Sequence, residues 1–186
     1  PTIFSNEAAQ KGLAISLMER AARLNTGVHF LNVQYRMNEQ IAAFSNKHFY
    51  DGKLSADKSV ARRMLEGDLN PIQFIDTAGT GYNEEAGAEG HSRMNRGEAE
   101  LAMKMYSLLK EQTQQFFSCA LISPYRAQIE LLDKVFKEED VTINTVDSFQ
   151  GQEADVVIIS LVRSNDENEI GFLKDYRRMN VALTRA

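Results

Sequence analysis

Apolar residues fall along this chain in short runs whose spacing switches between a strand-like and a helix-like period. The clearest run is Val156-Val157-Ile158-Ile159, four β-branched apolar residues bounded by polar ones. That is the pattern of a strand buried on both faces, as in a parallel sheet covered by helices. Cys119–Ile122 and Val141–Val146 read as further strands, as do Val28–Val33 and Ile72–Asp76, where Pro71 is tolerated at the strand start. Helical spacing predicts a helix over Asn6–Leu24, with Leu13, Leu17, Ala21 and Leu24 on one face and Gly12 weakening its first half. A second helix begins after the N-cap Asn38, with Ile41, Phe44 and His48 at helical spacing. Arg62–Leu65 reads as a short helix, and Glu98–Gln112 as a longer one carrying Ala102, Met105, Tyr106 and Leu109 on one stripe. Ser123-Pro124-Tyr125 opens another helix, with Ile129, Leu132 and Phe136 facing inward, and Asp175 caps the last one.

This order indicates an α/β fold with a mostly parallel sheet flanked by helices. One spacing is odd. Too few residues lie between Val146 and Val156 for a usual helical crossover, so these strands are either joined by a single turn or are not neighbours. Residues 77–97 hold five glycines and few large apolar side chains, which predicts a long loop, either flexible or ordered only by a partner. Glu84, Glu85 and Glu89 make that loop a solvated one.

Composition narrows the classes. The chain has 186 residues, 43% of them hydrophobic, enough for one domain with a substantial core. Its longest apolar runs are far too short to span a bilayer, so no membrane partner is expected. The single cysteine, Cys119, lies in an apolar run, cannot form an internal disulfide and fits a reducing cytoplasm. His29, His48 and His91 have no metal-ligand spacing, so no metal site is expected in this chain. A net charge of -5 argues against coating nucleic acid with bulk positive charge, though not against holding a strand in a local cleft. Nothing indicates a homo-oligomer.

Candidate chemistry gathers beside the predicted strands. Thr145-Val146-Asp147-Ser148-Phe149-Gln150-Gly151-Gln152-Glu153-Ala154-Asp155 runs into the strand at Val156 and concentrates hydroxyls, carboxylates and carboxamides around one glycine. Gly151 lets a backbone pass close to a ligand, and Glu153 offers a carboxylate of the kind that accepts hydrogen bonds from ribose hydroxyls. Tyr35-Arg36 sits on a strand-to-helix turn, where a ring can stack on a base and a guanidinium can fork onto phosphate oxygens. In an arbitrary protein these would be a surface tyrosine and a solvated arginine. Ser123 and Tyr125 could hold a phosphate and stack a base at a helix start, or form an ordinary Ser-Pro cap. At about 100° per residue the last helix places Tyr176, Met179 and Leu183 on one stripe and Arg178 and Arg185 on the opposite face.

The 145–155 stretch resembles motif V of the superfamily 1B helicases, in the branch that includes senataxin and the nonsense-mediated-decay RNA helicase. Gln34-Tyr35-Arg36-Met37 resembles that branch's motif between the two motor lobes, and Arg177-Arg178-Met179-Asn180-Val181-Ala182-Leu183-Thr184-Arg185-Ala186 its motif VI. The three stand in the family's order, and the resemblance weakens only over residues 55–70 and 80–92. It implies a RecA-like fold of the P-loop NTPase type, ATP with Mg2+ as cofactors, and single-stranded DNA or RNA as partner. By the same resemblance Tyr35 stacks on adenine, and Arg36 and Arg185 reach the γ-phosphate as catalytic groups. The resemblance also implies that Gly151 and Glu153 contact nucleotide, that Thr145, Asp147 and Ser148 link that contact to the bound strand, and that Ser123 and Tyr125 contact the strand.

No Gly-x-x-x-x-Gly-Lys-Ser/Thr loop occurs in the chain, nor an Asp-Glu pair ending an apolar strand before Tyr35. Residues 1–186 are therefore expected to be the second, C-terminal RecA-like lobe of a longer chain, inactive alone and partnered by a first lobe of the same polypeptide that holds ATP and Mg2+. Pro1-Thr2 resembles the residues just past the end of that first lobe. Ala186 stops inside motif VI, so the last sheet strand is expected to be missing. The competing expectations are a helicase-derived module that grips a strand or protein without turnover, and a stand-alone α/β enzyme, which would need its own phosphate loop.

Overall fold

The computed structural model describes residues 5–24, 27–67, 69–88, 90 and 92–186. Expectations attached to Pro1-Thr2, Glu89 and His91 fall outside these. The chain divides into two compact units, Pro1–Asn32 and Val33–Ala186.

In the first unit the single expected helix is two. Helix α1 (Asn6–Ala8) widens into a π turn at Ala9–Leu13, and α2 (Leu17–Arg23) starts afresh. The break lies at Gly12, whose φ of 93° is outside helical space. The Gly12 carbonyl, freed from the helical ladder, accepts from Arg20 Nη2 at 2.8 Å, and Ser16 Oγ caps α2 by accepting from Glu19 N. The expected apolar stripe is lost with the helix: Leu13, Leu17 and Leu24 are all exposed.

The second unit is built on three parallel strands, β5 (Cys119–Ser123), β6 (Thr142–Thr145) and β7 (Val156–Ile159), in the order β6-β5-β7. Thr145 pairs with Ser123, and Val156 with Cys119. The odd spacing is thereby resolved. β6 and β7 are not neighbours, and residues 146–155 cross from the carboxyl end of one outer strand to the amino end of the other, over one face of β5.

β5 is buried throughout, and its alternating side chains feed two half-cores. Cys119 and Leu121 pack under α4 (Arg96–Gln112) and α5 (Arg126–Val135), against Ala99, Ala102, Tyr106, Leu132 and Phe136. The Tyr106 ring meets those of Phe136 and Phe117 edge-on, at 5.7 and 6.1 Å. On the other face, Ala120 and Ile122 pack under Val146, Phe149 and Ala154 of the crossover and Ala182 of α6 (Tyr176–Leu183). At the amino ends of β5 and β7, Ser118 N and Oγ both donate to Asp155 Oδ2 (2.9 and 2.7 Å) and Asp155 N donates to Ser118 Oγ, a clasp that starts the ladder.

Elsewhere the expected elements shift. The strand expected over Val28–Val33 is β1 (Val33–Gln34), paired in parallel with β2 (Ser55–Ala56). Helix α3 (Glu39–Phe49) is capped by Asn38 as expected, but it buries Ala42 and Ser45, leaving Phe44 and His48 stacked on each other outside. Arg62–Leu65 is turn and coil, because the chain around Asp57 closes tight turns onto Val60 and Ala61 instead. Ile72–Asp76 forms no strand; Ile72, Phe74 and Ile75 are exposed, and no described strand pairs with it. The Gly-rich segment contains an antiparallel hairpin, β3 (Glu85–Ala86) with β4 (Arg93–Met94). Ser123 ends β5 rather than opening a helix, and α5 is capped at Tyr125 without a side-chain bond. On α6 it is Ala182 that is buried, while Tyr176 of the expected stripe is exposed.

Candidate functional site

The turn after β1 is shaped by Gln34. Its carboxamide oxygen accepts from Arg36 N (2.8 Å) and Met37 N (2.7 Å), and its Nε2 donates to Met37 O. One side chain thus folds the next three residues and turns Tyr35 outward, 68% exposed. Met37 is buried, and Arg63 Nη2 donates to Arg36 O at 3.1 Å. Sequence reasoning misses Gln34 and Arg63 because their role lies in backbone bonds that no motif spacing displays.

Arg36 then reaches across the fold. Its Nε donates to Glu153 Oε2 at 2.6 Å and its Nη1 to Thr184 O at 3.2 Å. Arg185 joins the same cluster: its carbonyl accepts from Ala154 N at 3.1 Å, and its Nε donates to Val181 O at 2.8 Å. Burial lowers the Arg185 pKa below the ordinary arginine value, and the Arg36 charge lowers it further. Two guanidinium groups close enough to perturb one another, balanced by one carboxylate, form a site suited to an anion. Gly151 lies on the same loop with φ of 90° and open space where a Cβ would stand.

Arg185 does not share a face with Arg178. The Thr184 hydroxyl bonds back to Asn180 O and Val181 O, α6 ends at Leu183, and Arg185 leaves the helix.

A second cluster lies at the opposite, carboxyl end of the sheet. The Thr145 hydroxyl donates to Ser148 Oγ at 2.9 Å, and Ser148 N donates to Thr145 Oγ1. Asp147 Oδ1 lies 3.5 Å from Arg178 Nε. Tyr125 is half-buried, its hydroxyl accepting from Phe172 N at 3.3 Å. Ser123 is wholly buried, and its Oγ accepts from Tyr125 N, so it supports the turn that carries Tyr125 and presents no surface of its own. The structure therefore gathers Arg36, Glu153 and Arg185 at one end of β7 and Tyr125, Thr145, Asp147 and Ser148 at the other end of the sheet.

Beyond β7 the chain makes a strained turn. Val162 is fully buried with φ of 72°, a left-handed conformation that a β-branched residue adopts only under constraint. The constraint is Glu98, whose carboxylate accepts from Val162 N and from the Ser160 hydroxyl (2.6 Å). Asn95 Nδ2 donates to Val162 O, and buried Gln128 ties Asn95 to Ser160. Arg163 then pairs with Glu84 at 3.0 Å, both nearly buried, joining the Gly-rich segment to this turn. Helical periodicity could not reveal these polar residues, since each acts through a partner far away in sequence. Among the described residues no group of three or more His, Cys, Asp or Glu could hold a metal, and no helix is long and apolar enough to cross a membrane.

Comparison with known proteins agrees with this fold. The AAA domain family matches residues 13–186. The chain is 43% identical over 179 residues, 85% of its length and 26% of the relative's, to DNA polymerase alpha-associated DNA helicase A of Saccharomyces cerevisiae. It is 39% identical to DNA-binding protein SMUBP-2 of Rattus norvegicus and 36% identical to the Regulator of nonsense transcripts 1 homolog of Neurospora crassa. Both alignments take in 100% of this chain, and they cover 20% and 18% of those proteins. The chain thus spans less than a third of the length of these curated relatives. With its RecA-like α/β sheet and its arginines converging beside Glu153, this chain belongs to the AAA domain family of the superfamily 1B helicases.

Proposed function

We propose that this chain is the second motor lobe of an ATP-dependent helicase or translocase, closing on ATP and Mg2+ held by a first lobe elsewhere in the full-length polypeptide. The observation that carries this reading is the convergence of Arg36, Glu153 and Arg185 from three distant stretches onto one edge. Two cations brought to the same carboxylate gain most when a multiply charged anion sits between them, which is how charge on a transferred phosphoryl group is stabilised. Tyr35 supplies the base platform, Glu153 the ribose acceptor, and Gly151 the space for close approach. Bound ATP·Mg2+ brings the phosphoryl group whose transfer to water powers the motor. The chain's own part is to present Arg36 and Arg185 to its terminal phosphate and to keep bulk water from the closed cleft.

Tyr125, Thr145, Asp147 and Ser148 at the other end of the sheet are the groups assigned to single-stranded DNA or RNA. A net charge of -5 favours this local grip over a broad basic surface. The test is strand-stimulated ATP hydrolysis by the full-length protein, with DNA and with RNA, comparing wild type with Arg185→Ala. A fall of about 10³–10⁵ in turnover with nucleotide binding retained is the expected result. Unchanged turnover would remove Arg185 from the site. Strand binding by a wild type that never hydrolyses ATP would favour a gripping module without turnover.

A further inference from the structure

Helix α6 connects the two clusters. At its carboxyl end Arg185 leaves the helix and joins Arg36 and Glu153. At its amino end the Arg178 side chain meets three groups. Its guanidinium lies 4.0 Å over the Phe172 ring, and its Nε is 3.5 Å from Asp147 Oδ1 and 3.6 Å from Asp175 Oδ2. Phe172 in turn donates its amide to the Tyr125 hydroxyl, and the two rings lie 6.3 Å apart. The Arg178 side chain is only 22% exposed, so it is not a solvated arginine.

This arrangement gives Arg178 an unusual set of neighbours. Asp147 belongs to the crossover loop, which reaches Glu153 six residues later. Tyr125 belongs to the turn after β5. Both are assigned to the strand, and both are held, directly or through Phe172, by one side chain on the helix that leads to Arg185. A planar guanidinium suits this position because it stacks on a ring with its face while its edge bonds carboxylates, which an ammonium cannot do.

We propose that Arg178 is a positioning residue that couples the nucleotide end of α6 to the strand-facing groups Asp147 and Tyr125. It touches neither ligand in this scheme. When Arg185 moves onto the terminal phosphate, α6 moves with it, and Arg178 carries Asp147 and the Phe172-Tyr125 pair along. The inference rests on the motor reading above, since it requires that the two ends serve nucleotide and strand.

The test uses the full-length protein and two readouts: turnover without strand, and the factor by which saturating single strand stimulates it. Arg178→Ala is expected to leave strand-free turnover near wild type while the stimulation factor falls about 10-fold, a loss typical of a broken coupling between sites. Phe172→Leu, which keeps apolar bulk but removes the ring, is expected to show a smaller fall in the same factor. Arg178→Lys, with its charge kept and its plane lost, is expected to behave like Phe172→Leu, and it carries the test should the alanine variant fail to fold. Stimulation retained in these variants, or strand-free and stimulated rates falling together, would overturn the proposal. A wild type showing no strand-stimulated turnover would instead overturn the motor reading itself.

Discussion

Arg36 Nε sits 2.6 Å from Glu153 Oε2, so the arginine assigned to phosphate and the carboxylate assigned to ribose neutralise each other in the chain as it stands. In the proposed motor reading, a bound nucleotide exchanges this contact for two new ones. The pair matters through occupancy more than through stability, because Glu153 is 64% exposed and pairs of that kind contribute only about 0–1 kcal/mol.

Glu153→Gln is accordingly expected to leave the unfolding midpoint almost unchanged. It should raise the preference for ATP over ADP by about 2- to 5-fold, because Arg36 no longer has to leave a carboxylate and only the triphosphate engages it. Competition titration against a fluorescent nucleotide, in the full-length protein, reads that ratio. A ratio that fell would show that the pair assists the terminal phosphate contact and does not compete with it.

Glu98 is expected to matter for stability. Its carboxylate satisfies the Ser160 hydroxyl and the amide of the buried, left-handed Val162. Glu98→Ala orphans both donors and should cost about 2–3 kcal/mol in urea unfolding, with Glu98→Gln intermediate because its one carbonyl oxygen still accepts. A loss below about 0.5 kcal/mol, the size of an ordinary surface change, would mean that the turn holds without the carboxylate.

Cys119 provides a pH-dependent prediction. Burial pushes its thiol up to about 12, so the folded chain binds this proton more tightly than the unfolded chain does. The resulting stability is complete below the unfolded thiol value, about 8.5, and is lost as pH climbs through the alkaline range toward the folded value. Cys119→Ala should flatten that alkaline loss. At pH 8 a thiol reagent should label native wild type very slowly and label it promptly in urea. Prompt labelling of the native protein would place the thiol outside the core.

The parts of this structure that are legible in the sequence are those carried by local pattern. β5 and β7 are dense apolar runs, and a run of that kind has few fates other than a covered strand. Asn38 and Asp175 cap their helices because a cap acts within three residues of itself. Ile72–Asp76 has the same apolar character as a strand, yet strand formation needs a neighbour, and no local pattern reports whether one is present. A helical wheel puts Arg185 on the wrong face because it assumes the helix continues, whereas Thr184 returns its hydroxyl to the preceding turn. Arg36 and Glu153 are legible through motif resemblance, but their mutual contact across 117 residues is not. Glu98 and Arg178 act through partners far away in sequence, and Gln34 through backbone groups of the turn that follows it, and none of these leaves a periodic trace.

The central place of β5 sets the order in which the sheet can be assembled. One neighbour, β6, is synthesised soon after it, and the other, β7, only after the whole crossover has been made. Once Thr145 has left the exit tunnel and while Val156–Ile159 has not, a wholly buried strand of the finished fold carries one paired edge and one bare edge. A bare edge on such a strand is a template for pairing with another nascent chain. Exposure ends once Val156–Ile159 leaves the exit tunnel and Ser118 can close on Asp155. Slow translation while residues 146–155 are leaving the tunnel would prolong it, so the pace of synthesis downstream of that crossover bears on the yield of folded protein.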